Sequence, residues 1–560
     1  MAISRFSARA LRIAAGAAFF AAAACASGDR YEAAASATSA HASVEERLKA
    51  DVAWLADDAR AGREAGAPGY LEAARYVAAR MAAVGLSPGA GPGSADGWFQ
   101  QVPLRTATPD LDAAAMSITG PDGDVAVLTH IEDFRVFPSL DRTSFDVSAP
   151  AVFVGYGVHA PQDGHDDYAG LDVEGKIVVF FNGAPDVFDS ERRAHFRSRA
   201  VKIREAAARG AVAAITLLTV ADEERSSWAR RNTNPSRAAM TWIGPDGRAG
   251  HPGPGFQGRG ALSPAASAAL FDGAPRSFET VRNEAAGPGG APRGFDLAAR
   301  VSMKGASFHA DMESPNVVGL IPGVHPDLKN EYLVLTAHLD HLGVSERLLD
   351  EGDDGIYNGA MDNALGVALM LEVARRFAEG PPPARSVLVL ALTAEEKGLL
   401  GADYFARFPT APKRALAANL NLDMPVMLHP FTDVIAFGAE RSALGPIAAK
   451  AVEEAGLRLS PDPIPELGIF TRSDHYPFVR QGVPAVYLFP GFANGGEAAF
   501  NGFMAEHYHR PSDEISLPIR YGDAARFADV NYAIARAVAD APERPVWNEG
   551  DFFGELFAAE

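Results

Sequence analysis

The chain has 560 residues, 48% hydrophobic and 22% charged, the proportions of an ordinary globular protein, and its length allows about three or four domains. A formal net charge of −20 argues against a general nucleic-acid binder and against adhesion to anionic lipid by charge alone. The acidity is read as a solubility feature.

In chain order, the first signal is for export. Arg5, Arg9 and Arg12 precede the apolar run 13–24. That run is too short for the ~20 residues needed to span a bilayer, so it reads as a signal-peptide core. The only cysteine, Cys25, follows three alanines. Residues 1–25 resemble a bacterial lipoprotein signal, in which this cysteine is lipidated; the alternative is a buried cysteine behind an ordinary cleavage site. The resemblance implies a lipid on Cys25 as the sole membrane contact. It favours the outer membrane, because Ala26 and Ser27 carry no aspartate retention signal. A lone cysteine makes no internal disulfide. Residues 26–42, rich in Ala, Ser and Thr, read as a tether.

Residues 43–119 form the first part of the main domain. Ser43 and Glu46 stand at capping-box spacing, and 70–84 is helical in pattern up to Gly85, with a glycine-punctuated loop at 61–66 between them. Block 120–305 is β-rich, with strands expected at 151–156 and 176–181, a helix at 200–209 and a Gly/Pro-rich irregular excursion at 231–262. It reads as an inserted domain. From 306 to 548 strands (332–336, 386–391, 434–437, 485–489) alternate with helices (363–377, 445–455, 523–539), leaving 549–560 as a tail. This alternation predicts an α/β fold with a mixed, mainly parallel sheet sandwiched by helices.

Five acid or histidine motifs fall where strands of such a sheet end, the place where ligands collect. His338 and Asp340 close the strand from 332. In a His-x-Asp pair the imidazole can take a metal while the carboxylate orients a neighbouring group; a solvated strand-end turn is the plainer reading. Asp362 heads a helix, either as its cap or as a carboxylate bridging two metals. Glu395 and Glu396 are adjacent carboxylates after a buried strand, which a metal on one and a free base on the other would reconcile. Asp423 sits in an apolar stretch where metal coordination would offset its burial. His509 lies in a loop before the last helix.

The motifs AHLDH, NGAMDNALG, AEEKGLLG, NLDM and YHRPSD, in that order, together with SDHYPFVRQGVPA, resemble metallopeptidase family 28, the co-catalytic zinc exopeptidases. Within 120–305, VGYGVHAPQDGHDDYAGLDVEGKIVVF resembles a protease-associated domain. The resemblance implies the zinc exopeptidase fold, peptide substrates and two zinc ions. Asp362 would bridge them, with His338 and Asp423 completing one site and Glu396 and His509 the other. Glu395 would be the general base and Asp340 the partner orienting His338. Tyr508 would help to stabilise the oxyanion, unless it is a core tyrosine. His507 is less fitting than His509 as the ligand, and His341 and His475 are expected to support a metal ligand from behind or to line the pocket wall, not to form a third metal site. Met361 and Leu365 depart from the Asp and Ser common in the family, without touching a ligand. An aminopeptidase is the favoured activity, with a carboxypeptidase or dipeptidase as the alternative. A silent receptor-like module is disfavoured because every ligand is present, and a glutaminyl cyclase because of the inserted domain.

Overall fold

The computed structural model describes residues 42–250, 253 and 255–558. The signal peptide, Cys25 and all but the last residue of the tether therefore lie outside the described residues.

The chain opens with helix α1 (Val44–Leu55). Its N-terminus is closed by reciprocal bonds: the Glu46 N–H donates to Ser43 Oγ, and the Ser43 N–H donates to the Glu46 carboxylate. Helix α2 (Pro68–Ala83) starts on a proline, whose fixed φ suits a first helical turn. It stops before Gly85, which takes φ +92. Then comes β1 (Phe99–Thr119), a strand of 21 residues. Block 120–305 supplies β2 (Phe134–Phe137), β3 (Ser144–Phe153), β4 (Ile177–Phe181), α3 (Ser190–Phe196), α4 (Arg199–Ala208), β5 (Ala213–Leu217) and β6 (Gly258–Leu262). The long strand β7 (Phe295–Ile321) returns antiparallel to β1, from Arg300 opposite Thr119 to Val317 opposite Phe99. The stretch 231–262, expected to be irregular, contains β6 and a further strand, Ala239–Trp242, that pairs with residues 104–107 of β1. Strands of four and five residues give too short a pattern to stand out among glycines and prolines.

The C-terminal half follows the expected alternation: β8 (Tyr332–His338), α5 (Leu365–Glu379), β9 (Ser386–Leu392), α6 (Leu400–Arg407), β10 (Leu416–Asn421), β11 (Asp433–Phe437), α7 (Leu444–Glu454), β12 (Arg458–Ser460), β13 (Ala485–Pro490), α8 (Gly496–Glu506), α9 (Tyr521–Asp540) and α10 (Phe552–Phe557). One sheet runs β12-β11-β13-β10-β8-β9-β7-β3-β4-β5-β6-β2. Strands β9, β8, β10 and β13 are mutually parallel, while β11 on β13 and β7 on β9 are antiparallel. The fold is thus mixed α/β with a mainly parallel central region.

Both faces of that region are covered, which is why its strands read as unbroken apolar runs. Leu333, Leu335, Val387 and Val389 face the core shared with α1, α5 and α9, whereas Val334, Leu388 and Leu390 face Phe405 of α6 and Phe478. A buried ion pair, the Arg47 guanidinium on the Glu372 carboxylate at 2.9 and 3.0 Å, ties α1 to α5. The segment expected as a tail forms α10 instead. Phe552 packs edge-on to His195 and Phe196 of α3, at ring separations of 5.6 and 5.7 Å. Helix α3 also contacts the loop 465–471, where a methyl group on Gly468 would come within 2.6 Å of Ala194 Cβ.

Candidate metal centre

The carboxyl ends of β8, β9 and β10 carry His338, Glu395–Glu396 and Asp423 to one point, and the loops before α5 and α9 bring Asp362 and His509. His338 Nε2 lies 3.1 Å from Asp423 Oδ1 and 3.2 Å from Asp362 Oδ1. On the other side, His509 Nε2 lies 3.3 Å from Asp362 Oδ2 and 3.2 Å from Glu396 Oε2. Asp362 thus offers one oxygen to each histidine.

These spacings are those of the edges of a coordination tetrahedron, since zinc bonds of ~2.0–2.1 Å put ligand atoms about 3.3–3.4 Å apart. The donors are imidazole and carboxylate with no thiolate, a set that suits zinc. The local charge agrees. Neighbouring carboxylates push His338 and His509 well above an ordinary histidine, His509 to about 10, although burial opposes this in both. Hydrogen bonds from His341 and His509 hold Glu396 down at about 2 against its burial. The field that retains a proton on these histidines is one that attracts a cation.

A further group, Asp362, Glu396 and His341, also lies within metal-binding reach. His341, expected behind a metal ligand or at the pocket wall, touches Glu396 directly through Nδ1, at 2.8 Å from Oε1. That contact is a hydrogen bond that aims the carboxylate. His475 is buried between the rings of Phe470 and Tyr487, at 5.1 and 5.5 Å. His507 pairs with Ser512 Oγ at 3.0 Å instead of joining the cluster.

Asp340 meets His338 differently from the expectation. His338 Nδ1 is 3.1 Å from the Asp340 main-chain oxygen, while the carboxylate accepts the N–H groups of Glu395 (3.0 Å) and Glu396 (3.3 Å). Its carboxylate therefore positions the Glu395–Glu396 loop, and its carbonyl orients His338. Asp423 is not in apolar surroundings either. Its Oδ2 accepts a short hydrogen bond from Ser473 Oγ, and its carbonyl accepts one from Tyr487 Oη at 2.7 Å.

The Glu395 side chain lines the cavity, and no hydrogen bond or ion pair engages its carboxylate among the described residues. Burial first, then neighbouring carboxylates, push its pKa well up. Tyr508 lies in the same wall, its ring stacked on His509 at 3.9 Å and 23°.

Three supports carry no role predicted from the sequence, although Asp513 and Asn363 stand within the motifs YHRPSD and NGAMDNALG. Buried Arg63 donates to the carbonyls of Leu339, Leu55, Asn358 and Gly359, at 2.6 to 3.0 Å, beneath the cluster. The Asp513 carboxylate accepts the N–H groups of Met361 (2.9 Å) and Asp362 (3.0 Å). Asn363 Oδ1 accepts from Gly366 and Met424 at 3.1 and 3.0 Å, joining the Asp362 loop to the Asp423 loop.

Residues 316–535 match the family model of Peptidase family M28. That span contains every candidate ligand and Glu395. A probable zinc metalloprotease from Pyrenophora teres f. teres is 47% identical over 66 residues, 12% of this chain and 14% of that protein. A probable zinc metalloprotease from Pyrenophora tritici-repentis is 46% identical over 66 residues, 12% of this chain and 15% of that protein. The chain thus spans about one seventh of the length of these curated relatives. Among solved structures, an aminopeptidase from Aneurinibacillus sp. strain AM-1 aligns over 89% of this chain and 95% of its own, at 20% identity and TM-score 0.49. A zinc aminopeptidase from Bacillus subtilis aligns over 89% and 96%, at 18% identity and TM-score 0.42.

Proposed function

We propose that the protein is a zinc-dependent aminopeptidase of family M28 that holds two metal ions. The observation that carries this reading is Asp362, whose two oxygens face separate histidines, each backed by a further carboxylate. His338 and Asp423 would hold one ion and His509 and Glu396 the other. A zinc pair at such a site polarises the scissile carbonyl and acidifies water. Glu395, with a free carboxylate of raised pKa facing the cavity, takes the proton from the attacking water and passes it to the leaving amine. The Tyr508 hydroxyl, fixed by stacking on His509, donates to the oxygen of the scissile carbonyl as negative charge grows there. Met424, Ile469, Phe489, Phe500 and Met504 line the cavity and favour a bulky apolar side chain.

One observation favours a carboxypeptidase or dipeptidase as the second reading. Arg472 lines the same cavity and has no ion-pair partner among the described residues, so it can receive a substrate carboxylate. Hydrolysis of a panel of aminoacyl-nitroanilides, with and without chelator, distinguishes the two. Chelator-sensitive cleavage of leucyl or phenylalanyl substrates, restored by zinc, is expected. A protein that contains two zincs yet cleaves only substrates with a free α-carboxylate would replace the aminopeptidase reading with the second one.

Export with a lipid on Cys25, and a protease-associated character for 120–305, complete the proposal. They rest on the sequence alone.

A further inference from the structure

Block 120–305 contributes a parallel stretch to the large sheet, in which β3, β4, β5 and β6 all run the same way. A cavity of about 240 Å³ is lined by Asn182 just past β4, by Thr216 and Leu218 at the end of β5, and by Ala261 of β6. It thus lies at the carboxyl ends of parallel strands, where α/β sheets collect ligands. It is remote in sequence from every candidate metal ligand.

The charge of this cavity is one-sided. Arg135, Arg199 and Arg231 line it and no carboxylate does. Arg231 is held in place, donating to the carbonyls of Ser226 (2.8 Å) and Asp222 (2.7 Å) and lying 3.7 Å from the Asp222 carboxylate. The other two are not. Arg135 has a buried Nε without a partner, and its Nη2 reaches only the Pro235 carbonyl, at 3.4 Å. The Arg199 side chain, which is exposed, makes no hydrogen bond or ion pair among the described residues. Both guanidinium groups lie 5.5 Å from the centre of the Phe137 ring, and Arg259 lies 6.0 Å from it. Desolvation, and then repulsion from Arg199 and Arg237, lower the pKa of half-buried Arg135.

Three arginines around the cavity face only the Asp222 carboxylate beside Arg231, so the excess cations repel one another, and an anion in the cavity removes that cost. Helix α4 adds to the field. Arg199 is its first residue, Ser198 gives no side-chain cap, and its first turn has no acid, so the helix N-terminus is free to face negative charge.

We propose that this cavity binds a small dianionic oxyanion, gripped by the Arg135 and Arg199 guanidinium groups with the Thr216 hydroxyl as a neutral donor. The forked donors of arginine match a phosphate group and a dicarboxylate alike. The site does not depend on the peptidase reading.

Calorimetric titration of the full chain tests this, with inorganic phosphate and succinate as separate ligands at constant ionic strength. Saturable binding of one anion per chain is expected, weakened at least about tenfold by Arg199→Ala and by Arg135→Gln, the effect of losing one charge-assisted contact. Arg347→Ala, on an exposed helix elsewhere, leaves it unchanged. Binding of phosphate alone identifies a phosphate ligand, and binding of succinate alone a dicarboxylate. The proposal is overturned if neither anion saturates at millimolar concentration, or if Arg199→Ala, folded by circular dichroism, binds as tightly as the parent.

Discussion

Asp513→Asn tests whether the Asp362 loop is aimed from behind. Asp513 is fully buried and receives three main-chain N–H groups: Met361 and Asp362 on its carboxylate, and Ala360 on its carbonyl at 3.1 Å. Asparagine keeps one acceptor oxygen and turns an NH2 group toward the other N–H. One charge-assisted hydrogen bond is lost, worth about 1.5–3 kcal/mol, and two donors are set face to face. A smaller effect opposes this. Burial, with the charge of Asp362 adding to it, pushes the Asp513 pKa up to about 6, so the neutral amide is the easier group to bury. The net cost to the loop geometry is then about 2 kcal/mol, which corresponds to a zinc affinity about 30-fold weaker. That lies within the ~10–100-fold typical of groups that orient metal ligands. Competition with a chromophoric chelator measures the affinity, and far-UV circular dichroism checks that the variant is folded. Zinc affinity and stoichiometry within about threefold of the parent protein, a window well inside this estimate, would refute the reasoning, because Asp362 would then be held by something other than Asp513.

Glu395→Gln is expected to retain both metals by elemental analysis while losing about 10²–10⁴-fold in turnover, since a base is removed and no ligand is. Asp362→Ala is expected to lose both ions together; retention of one at full occupancy would contradict a bridging role. Cys25→Ser should move the protein from the membrane to the soluble fraction, and an unchanged distribution would dismiss the lipid anchor. Acidification should weaken the contact between α3 and the C-terminal half. His195, 2.7 Å from Tyr476 Oη through Nδ1, has its pKa lowered to about 3, chiefly by burial. Below pH ~6.5 an unfolded histidine takes up a proton that folded His195 refuses. The unfolded state then binds more protons, and stability falls as the pH drops through that window. Denaturant titrations between pH 7 and pH 4 should show this fall, and a shallower one in His195→Gln.

The central sheet was legible because its strands are buried on both faces. Runs such as 332–336 and 386–391 need no alternation, and the helices between them carry a plain 3.6-residue pattern. The metal centre was legible for a related reason. A strand end can present only its last residue and the few that follow it, so His338, Glu395–Glu396 and Asp423 had to appear at or within four residues of the ends of apolar runs. The strand Ala239–Trp242 and helix α10 escaped notice because each is only a few residues long. Their partners lie far away in sequence, β1 for the strand and α3 for the helix.

The supports of the site were illegible for a deeper reason. Arg63 carries no motif: it lies in a glycine-rich loop whose composition predicts exposure, yet it is 1% exposed. Its guanidinium gathers four carbonyls from residues 55, 339, 358 and 359, and such convergence exists only after folding. The same holds for Asp340. A His-x-Asp pattern suggests a carboxylate on the imidazole, but two residues along an extended chain the main-chain oxygen reaches Nδ1 first. The carboxylate is thereby left for the N–H groups of Glu395 and Glu396 on the neighbouring strand end. Asp340 therefore couples the position of one ligand, His338, to that of the base, Glu395, through a single residue. A substitution that keeps its carbonyl but removes its carboxylate acts on the base loop first and on His338 second.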